Sequence, residues 1–187
     1  MQENIVILNF SPRSNGNCRN VSEFIADAHN RTNVLQYHMV RDDFQPCGDC
    51  DYECLKPGVC CPSVTQKQKD IMDSICNSDL VYYIIPNFCG YPCSSFFAYN
   101  ERSVGYFNMD RELMGKYMAV QKKFIIISNT ENDNFLHAAK TQTKEQPQIL
   151  YLKTSKYGKR SIAGDILESD EAKVDLNRFL EYGTVNP

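Results

Sequence analysis

The chain has 187 residues, with 23 acidic against 20 basic side chains and a formal net charge of -3, so nothing in its charge points to nucleic acid or an acidic membrane as a partner. Its length fits one domain with a full core. No apolar run reaches the length of a membrane span, and Met1-Gln2-Glu3-Asn4 leads into the first apolar residues without a signal-peptide pattern, so no membrane association and a cytoplasmic location are expected.

Ile5, Val6, Ile7 and Leu8 form a continuous apolar run, the pattern of a strand buried on both faces. Val21, Phe24, Ile25 and Ala28 then fall at i, i+3, i+4 and i+7, one face of an amphipathic helix. Asn33 to Val40 alternates imperfectly, as an edge or near-edge strand does. Arg41 to Pro62 is polar, cysteine-rich and interrupted by Pro46, Gly48, Pro57, Gly58 and Pro62, which predicts a loop. A helix is expected from Ser63, as its cap, to Asn77, with Val64, Gln68, Ile71, Met72 and Ile75 on one face. Leu80 to Ile85 is β-branched and aromatic, a central third strand that Pro86 should stop. The helix after it carries Phe96, Phe97 and Tyr99 and extends past Arg102. Phe124 to Ile127 and Ile149 to Leu152 read as the fourth and fifth strands. Between them lies a long polar stretch, Asn129 to Gln148, with a short helix around Phe135 to Lys140; its length suits a lid or binding loop as well as a connection. Ala172, Leu176, Phe179 and Leu180 mark a last helix, Ser169 to Tyr182, ending at Gly183. The alternation predicts a single α/β domain over residues 1–187, a doubly wound five-stranded parallel sheet with helices on both faces.

The turn after the first strand, Asn9-Phe10-Ser11-Pro12-Arg13-Ser14-Asn15-Gly16-Asn17-Cys18, gathers small and polar residues where a helix N-terminus begins. Main-chain N–H groups and the helix dipole there favour an anion, though an ordinary capped turn has the same composition. With one glycine and no Gly-Lys-Ser/Thr it is neither a Walker loop nor a dinucleotide fingerprint. Ser11, Pro12, Arg13, Gly16 and Asn17 do resemble the Ser-Pro-Arg-x-x-Gly-Asn-Thr loop of the flavodoxin-like NAD(P)H-dependent FMN reductases, a family that includes iron-sulfur flavoproteins; Phe10 replaces the usual glycine and Cys18 the usual threonine or serine. Pro86-Asn87-Phe88-Cys89-Gly90, followed by Glu101-Arg102, is similar to that family's Pro-x-Tyr-x-Gly flavin loop and the Asp-Arg that follows it. The resemblance implies the flavodoxin-like strand order 2-1-3-4-5, whose ligands sit beyond strands one and three, where the winding reverses. It further implies FMN, with Ser11, Arg13, Ser14, Asn15, Gly16, Asn17 and Cys18 at the phosphate, Pro86, Asn87, Phe88, Cys89 and Gly90 along the ring, and Asn129 and Thr130 at the pyrimidine edge. The activity implied is electron transfer from NAD(P)H through FMN to a flavin, quinone or other small acceptor, in a homodimer or homotetramer, with no catalytic side chain required.

Nine cysteines, an odd number with five of them clustered between Cys47 and Cys61, do not form a secreted disulfide pattern. Cys47, Cys50, Cys54 and Cys60 supply enough thiolates for zinc or an iron-sulfur cluster, and their spacing is similar to the compact motif of the iron-sulfur flavoproteins with one extra residue between the second and third cysteines. Reduced cysteines in a structured loop are the favoured reading. His29, His38 and His137 show no metal spacing. Two other functions share this sequence pattern: an electron carrier between protein partners, and a cofactor-free binding or regulatory module, the latter motivated by Phe10 and Cys18.

Overall fold

In the computed structural model, residues 3–42, 44–56, 58–108, 110–129 and 134–183 are described. The elements in chain order are β1 Ile5–Asn9, α1 Asn17–Ala28, β2 Val34–His38, α2 Gln66–Cys76, β3 Leu80–Phe88, β4 Tyr91–Pro92, α3 Ser94–Phe107, α4 Arg111–Ala119, β5 Gln121–Ser128, α5 Phe135–Lys140, β6 Gln148–Lys153 and α6 Asp170–Tyr182. Five parallel strands lie in the order β2-β1-β3-β5-β6, and β4 is a two-residue antiparallel return on the end of β3. Leaving out that return, this is the expected order 2-1-3-4-5, with β2 at an edge.

Side chains alternate between the two faces of the buried strands, as the pleat requires. Val6, Leu8, Val81, Tyr83, Ile85, Phe124 and Ile126 join α2, α3 and α4 in one core; Ile5, Ile7, Tyr82, Ile84, Ile125 and Ile127 join α1 and α6 in the other. On α1 the buried stripe is Cys18, Val21, Ser22, Ile25 and Ala26; Phe24 is only half-buried and Ala28 is exposed. The cap of α2 is Thr65 rather than Ser63: Thr65 and Gln68 form a reciprocal capping box that satisfies two main-chain donors at once. Helix α4 is absent from the sequence-based reading. It is capped by Asp110, whose carboxylate accepts from the main chain of Glu112 and Leu113, and it buries only Tyr117, so it carries no apolar stripe to read.

The hydroxyls of Tyr83, Tyr99 and Tyr117 meet in the core at 2.6 to 3.0 Å from one another, and Tyr117 also donates to Gln142. Phe10 packs on this cluster, its ring centroid 6.0 Å from Tyr83, 5.7 Å from Tyr99 and 5.4 Å from Phe96, and is fully buried. The side chain in the family's glycine position thus points into the core and helps hold the first turn down. Phe10→Ala should cost about 3–5 kcal/mol in a urea unfolding curve through lost contacts and the cavity left behind; a loss below about 1 kcal/mol would mean that the ring does not anchor this turn.

Lys122, at the start of β5, is buried, and its ammonium donates to the carbonyls of Tyr117 and Val120 at the end of α4. Burial lowers its pKa to about 8. Between about 8 and the ordinary lysine value the unfolded chain holds a proton that the folded chain has released, so stability rises with pH through that window. Relative to Lys122→Met, the wild-type protein should gain on the order of 2–3 kcal/mol between pH 8 and pH 10 in denaturant titrations. Parallel curves for the two proteins would contradict this.

Candidate functional site

The site begins where β1 and β3 part. Their ladder is regular up to Phe10, whose N–H donates to the Ile84 carbonyl at 3.0 Å. Continued by one step, it would need an N–H from residue 86 to the Phe10 carbonyl and one from residue 12 to the carbonyl of residue 86. Both positions are proline, so neither bond can form. The Phe10 carbonyl instead accepts from Ser95 Oγ at 2.7 Å and Cys93 Sγ at 3.4 Å, at the start of α3. Pro86 does not end β3, as the sequence had suggested: its missing N–H faces the side where β1 has already stopped, while β5 continues alongside as far as the Pro86–Ile127 pair. The two chains diverge here around a crevice of about 140 Å³ lined by Ser11, Pro12, Arg13, Gly16, Asn17, Cys18, Pro86, Asn87, Phe88, Ile127, Ser161 and Ile162. The two predicted loops meet as expected; Ser14 and Asn15 are exposed and stand outside this lining.

The first turn curls through side-chain contacts with its own backbone. Asn9 Oδ1 accepts from the Ser11 N–H at 2.9 Å and Ser11 Oγ from the Arg13 N–H at 3.2 Å. Gly16, at φ 151, then turns the chain into α1, whose N-cap makes no side-chain hydrogen bond. Among the described residues no side chain caps this helix start, and the Asn17 N–H has no partner. An uncapped helix start with the positive end of its dipole suits a phosphate.

The side chains of this turn are engaged elsewhere, with the segment that follows β6. Arg13 Nη2 donates to the Ile162 carbonyl at 2.8 Å, and Asn17 Nδ2 to the Ser161 carbonyl at 3.2 Å. Asn17 Oδ1 accepts from the Ile166 N–H at 2.9 Å, and Asn20 Nδ2 reaches the Gly164 carbonyl at 2.7 Å. Asn129 clamps Ser161 from the other side, donating to its Oγ at 2.6 Å and accepting from its N–H at 3.2 Å. A Cβ on Gly164, at φ 78, would stand 3.1 Å from the Cα of Gly16, so the segment lies backbone against backbone on the first turn. Residues 158–166 therefore form a roof over the first-turn end of the crevice. Thr130, the other residue expected at the pyrimidine edge, lies outside the described residues.

On the opposite wall, Asn87 Oδ1 accepts from the Gly90 N–H and its Nδ2 donates to Ser128 Oγ, both at 2.7 Å, tying the β3 end to β5. Cys89 and Gly90, at φ 54 and φ 87, make a tight two-residue hairpin turn with both residues left-handed. It holds Phe88 and Tyr91 out, each 56 % exposed, beside the crevice. Cys18 is buried beneath the first turn, and burial together with the nearby Cys93 thiol pushes its pKa up to about 12. The crevice floor thus holds a neutral thiol.

Glu101 and Arg102 are not at this crevice; they moor the cysteine-rich loop. The buried Arg102 guanidinium donates to the carbonyls of Gln45 at 2.8 Å and Pro46 at 2.5 Å and approaches Cys61 Sγ at 3.8 Å, while Glu101 accepts from the Cys47 N–H at 3.1 Å. Cys47 and Cys60 are exposed, Cys50, Cys54 and Cys61 half-buried, and all nine cysteines are free. Among the described residues no three His, Cys, Asp or Glu side chains are placed to hold a metal. His29, just past the end of α1, bonds the Tyr82 hydroxyl at 3.0 Å. Among the described residues no helix is long and apolar enough to cross a membrane.

The sheet order and the crevice at its switch point define a flavodoxin-like fold. Similar solved structures include the Trp repressor binding protein of Bacillus subtilis (14% identity, covering 95% of this chain and 98% of that one, TM-score 0.60). FerB, a flavoenzyme NAD(P)H:(acceptor) oxidoreductase of Paracoccus denitrificans, matches at 10% identity over 96% of this chain and 97% of its own, TM-score 0.53. An azoreductase of Bacillus anthracis matches at 11% identity over 95% of this chain and 94% of its own, TM-score 0.52. No family model and no curated protein matches the sequence.

Brief iodoacetamide treatment of the folded protein at neutral pH should modify the exposed Cys47, Cys60 and Cys89 and leave Cys18 and Cys93 intact until denaturant is added, as read by peptide mass spectrometry. Early modification of Cys18 would contradict its burial as a neutral thiol.

Proposed function

We propose that this protein is an FMN-dependent NAD(P)H oxidoreductase that passes electrons to a flavin, quinone or other small acceptor. The observation that carries the proposal is the crevice between Pro12 and Pro86, with the uncapped N–H groups of α1 at one end and the rigid Asn87–Gly90 turn at the other. These residues fit the group. Main-chain donors at Asn17 and Cys18 suit a phosphate, the neutral Cys18 thiol adds no opposing charge, and the buried Phe10 ring leaves the approach clear. Bound FMN would supply the electron pair acceptor, taking hydride from nicotinamide and giving electrons to the second substrate.

The chain's own part is to bind and orient. The α1 N–H groups and Ser11 would hold the phosphate, while Arg13, Asn17 and Asn129 would keep the 158–166 roof closed on it. Asn87, bonded on both sides, would fix the Phe88–Gly90 backbone along the ring. The exposed Phe88, Tyr91 and Phe97 would keep water from the ring when a second copy of the chain closes over it. No side chain is assigned a proton transfer.

The purified protein should take up about one FMN, keep it through gel filtration and then oxidise NADPH or NADH steadily with a quinone present. Gly16→Val, which forces a β-branched residue into φ 151, should weaken FMN binding at least about tenfold while leaving the far-ultraviolet circular dichroism unchanged. Failure to take up FMN would overturn the proposal. Uptake with reduction by dithionite alone would instead indicate the electron carrier.

A further inference from the structure

A second crevice lies on the other side of the first turn, between α1 and the edge strand β2. It has a volume of about 250 Å³ and is lined by Ile7, Asn9, Arg19, Ser22, Glu23, Gln36, Tyr37, His38 and Arg41. Pairing of Ile7 with Gln36 and of Asn9 with His38 puts these four side chains on the same face of the sheet as α1. Two guanidinium groups and an imidazole thus share one cleft. Its one carboxylate, Glu23, is already paired with Arg31 at 2.9 Å, and among the described residues neither Arg19 nor Arg41 has an ion-pair partner. Arg19 uses one nitrogen on the Ser14 carbonyl at 3.2 Å.

The floor of the cleft points independently to a ligand. Asn9 is only 5% exposed, and its Oδ1 is turned to the Ser11 N–H. Asn9 lines the cleft, and its Nδ2 has no partner among the described residues, so it stays free to donate there. Donors from Asn9 and two arginines, in a cleft whose lining has two guanidinium groups against one carboxylate, match a phosphomonoester dianion, which accepts several charge-assisted hydrogen bonds. The cleft is close to the crevice that would hold the flavin: His38 Nε2 lies 3.4 Å from the Arg13 carbonyl, so one strand of loop separates them.

We propose that this cleft binds the 2′-phosphate of NADPH, with Arg19, Arg41 and Asn9 as its donors, and so sets a preference for NADPH over NADH. The choice of ligand rests on the oxidoreductase reading above; the phosphomonoester site itself does not.

The test is calorimetric titration with adenosine 2′,5′-bisphosphate in the presence of excess FMN, which blocks the first turn. Wild-type protein should bind one equivalent, Arg41→Ala and Arg19→Ala should each weaken binding at least about tenfold, and adenosine 5′-monophosphate should bind at least about tenfold more weakly than the bisphosphate. In turnover, Arg41→Ala should raise KM for NADPH and leave kcat and all NADH kinetics unchanged. No binding, binding equal in both arginine variants, or binding that FMN abolishes would overturn the assignment. So would an Arg41→Ala effect on NADH equal to that on NADPH. If the bisphosphate binds through these arginines in a protein that neither holds FMN nor oxidises NADPH, the phosphomonoester site stands and the oxidoreductase reading falls.

Discussion

The structure depends on a ladder that stops. Parallel strands pair through evenly spaced bonds, and β1 and β3 would remain zipped to their ends if residues 12 and 86 each had an N–H to give. Both are proline, so the strands part at the sheet's switch point. The carbonyl freed at Phe10 is satisfied by Ser95 and Cys93, which seats the start of α3, and the Phe10 ring rests on the tyrosine cluster behind it. The crevice is therefore held open by covalent chemistry on one side and dense packing on the other, and it needs no ligand to shape it.

Around that opening the polar groups divide their work. Among the described residues no side chain caps the main-chain N–H groups at the start of α1, while the polar side chains of the turn hold a roof in place. This arrangement is possible because Gly16 and Gly164 let two backbones touch. Charge follows the same plan. Arg13 is turned to carbonyls of the roof, and Cys18 below stays protonated, so the positive character of the first-turn end comes largely from the helix itself.

Much of this was legible in the sequence, because it depends on local pattern. The apolar runs of β1, β3 and β5, the stripes of α1 and α6, and the small polar turn at Ser11 are each contained in a few residues. Strand β3 ran further than read because the rule that proline ends a strand holds only where its N–H is needed, and that depends on the length of β1, a distant fact. Helix α4 escaped because it is surface-facing, with Tyr117 its only buried residue. The Thr65-Gln66-Lys67-Gln68 capping box is legible in the sequence, and it outcompetes Ser63 because it satisfies two main-chain donors where a lone serine satisfies one. The partnership of Arg13 with Ser161, across 148 residues, and the mooring of the cysteine loop by Arg102, across 57, leave no trace in any window of sequence. Sequence distance, rather than weak signal, set the boundary of what could be read.

The central claim, that the parting of β1 and β3 is where FMN binds, is tested most directly by amide NMR. In a nitrogen-15 labelled sample, stoichiometric FMN should shift the N–H signals of Ser14 to Cys18 and of Asn87 to Gly90 together, with the largest changes at Asn17 and Cys18, and leave the far edge of the sheet unmoved. Shifts confined to other loops, or none, would contradict it.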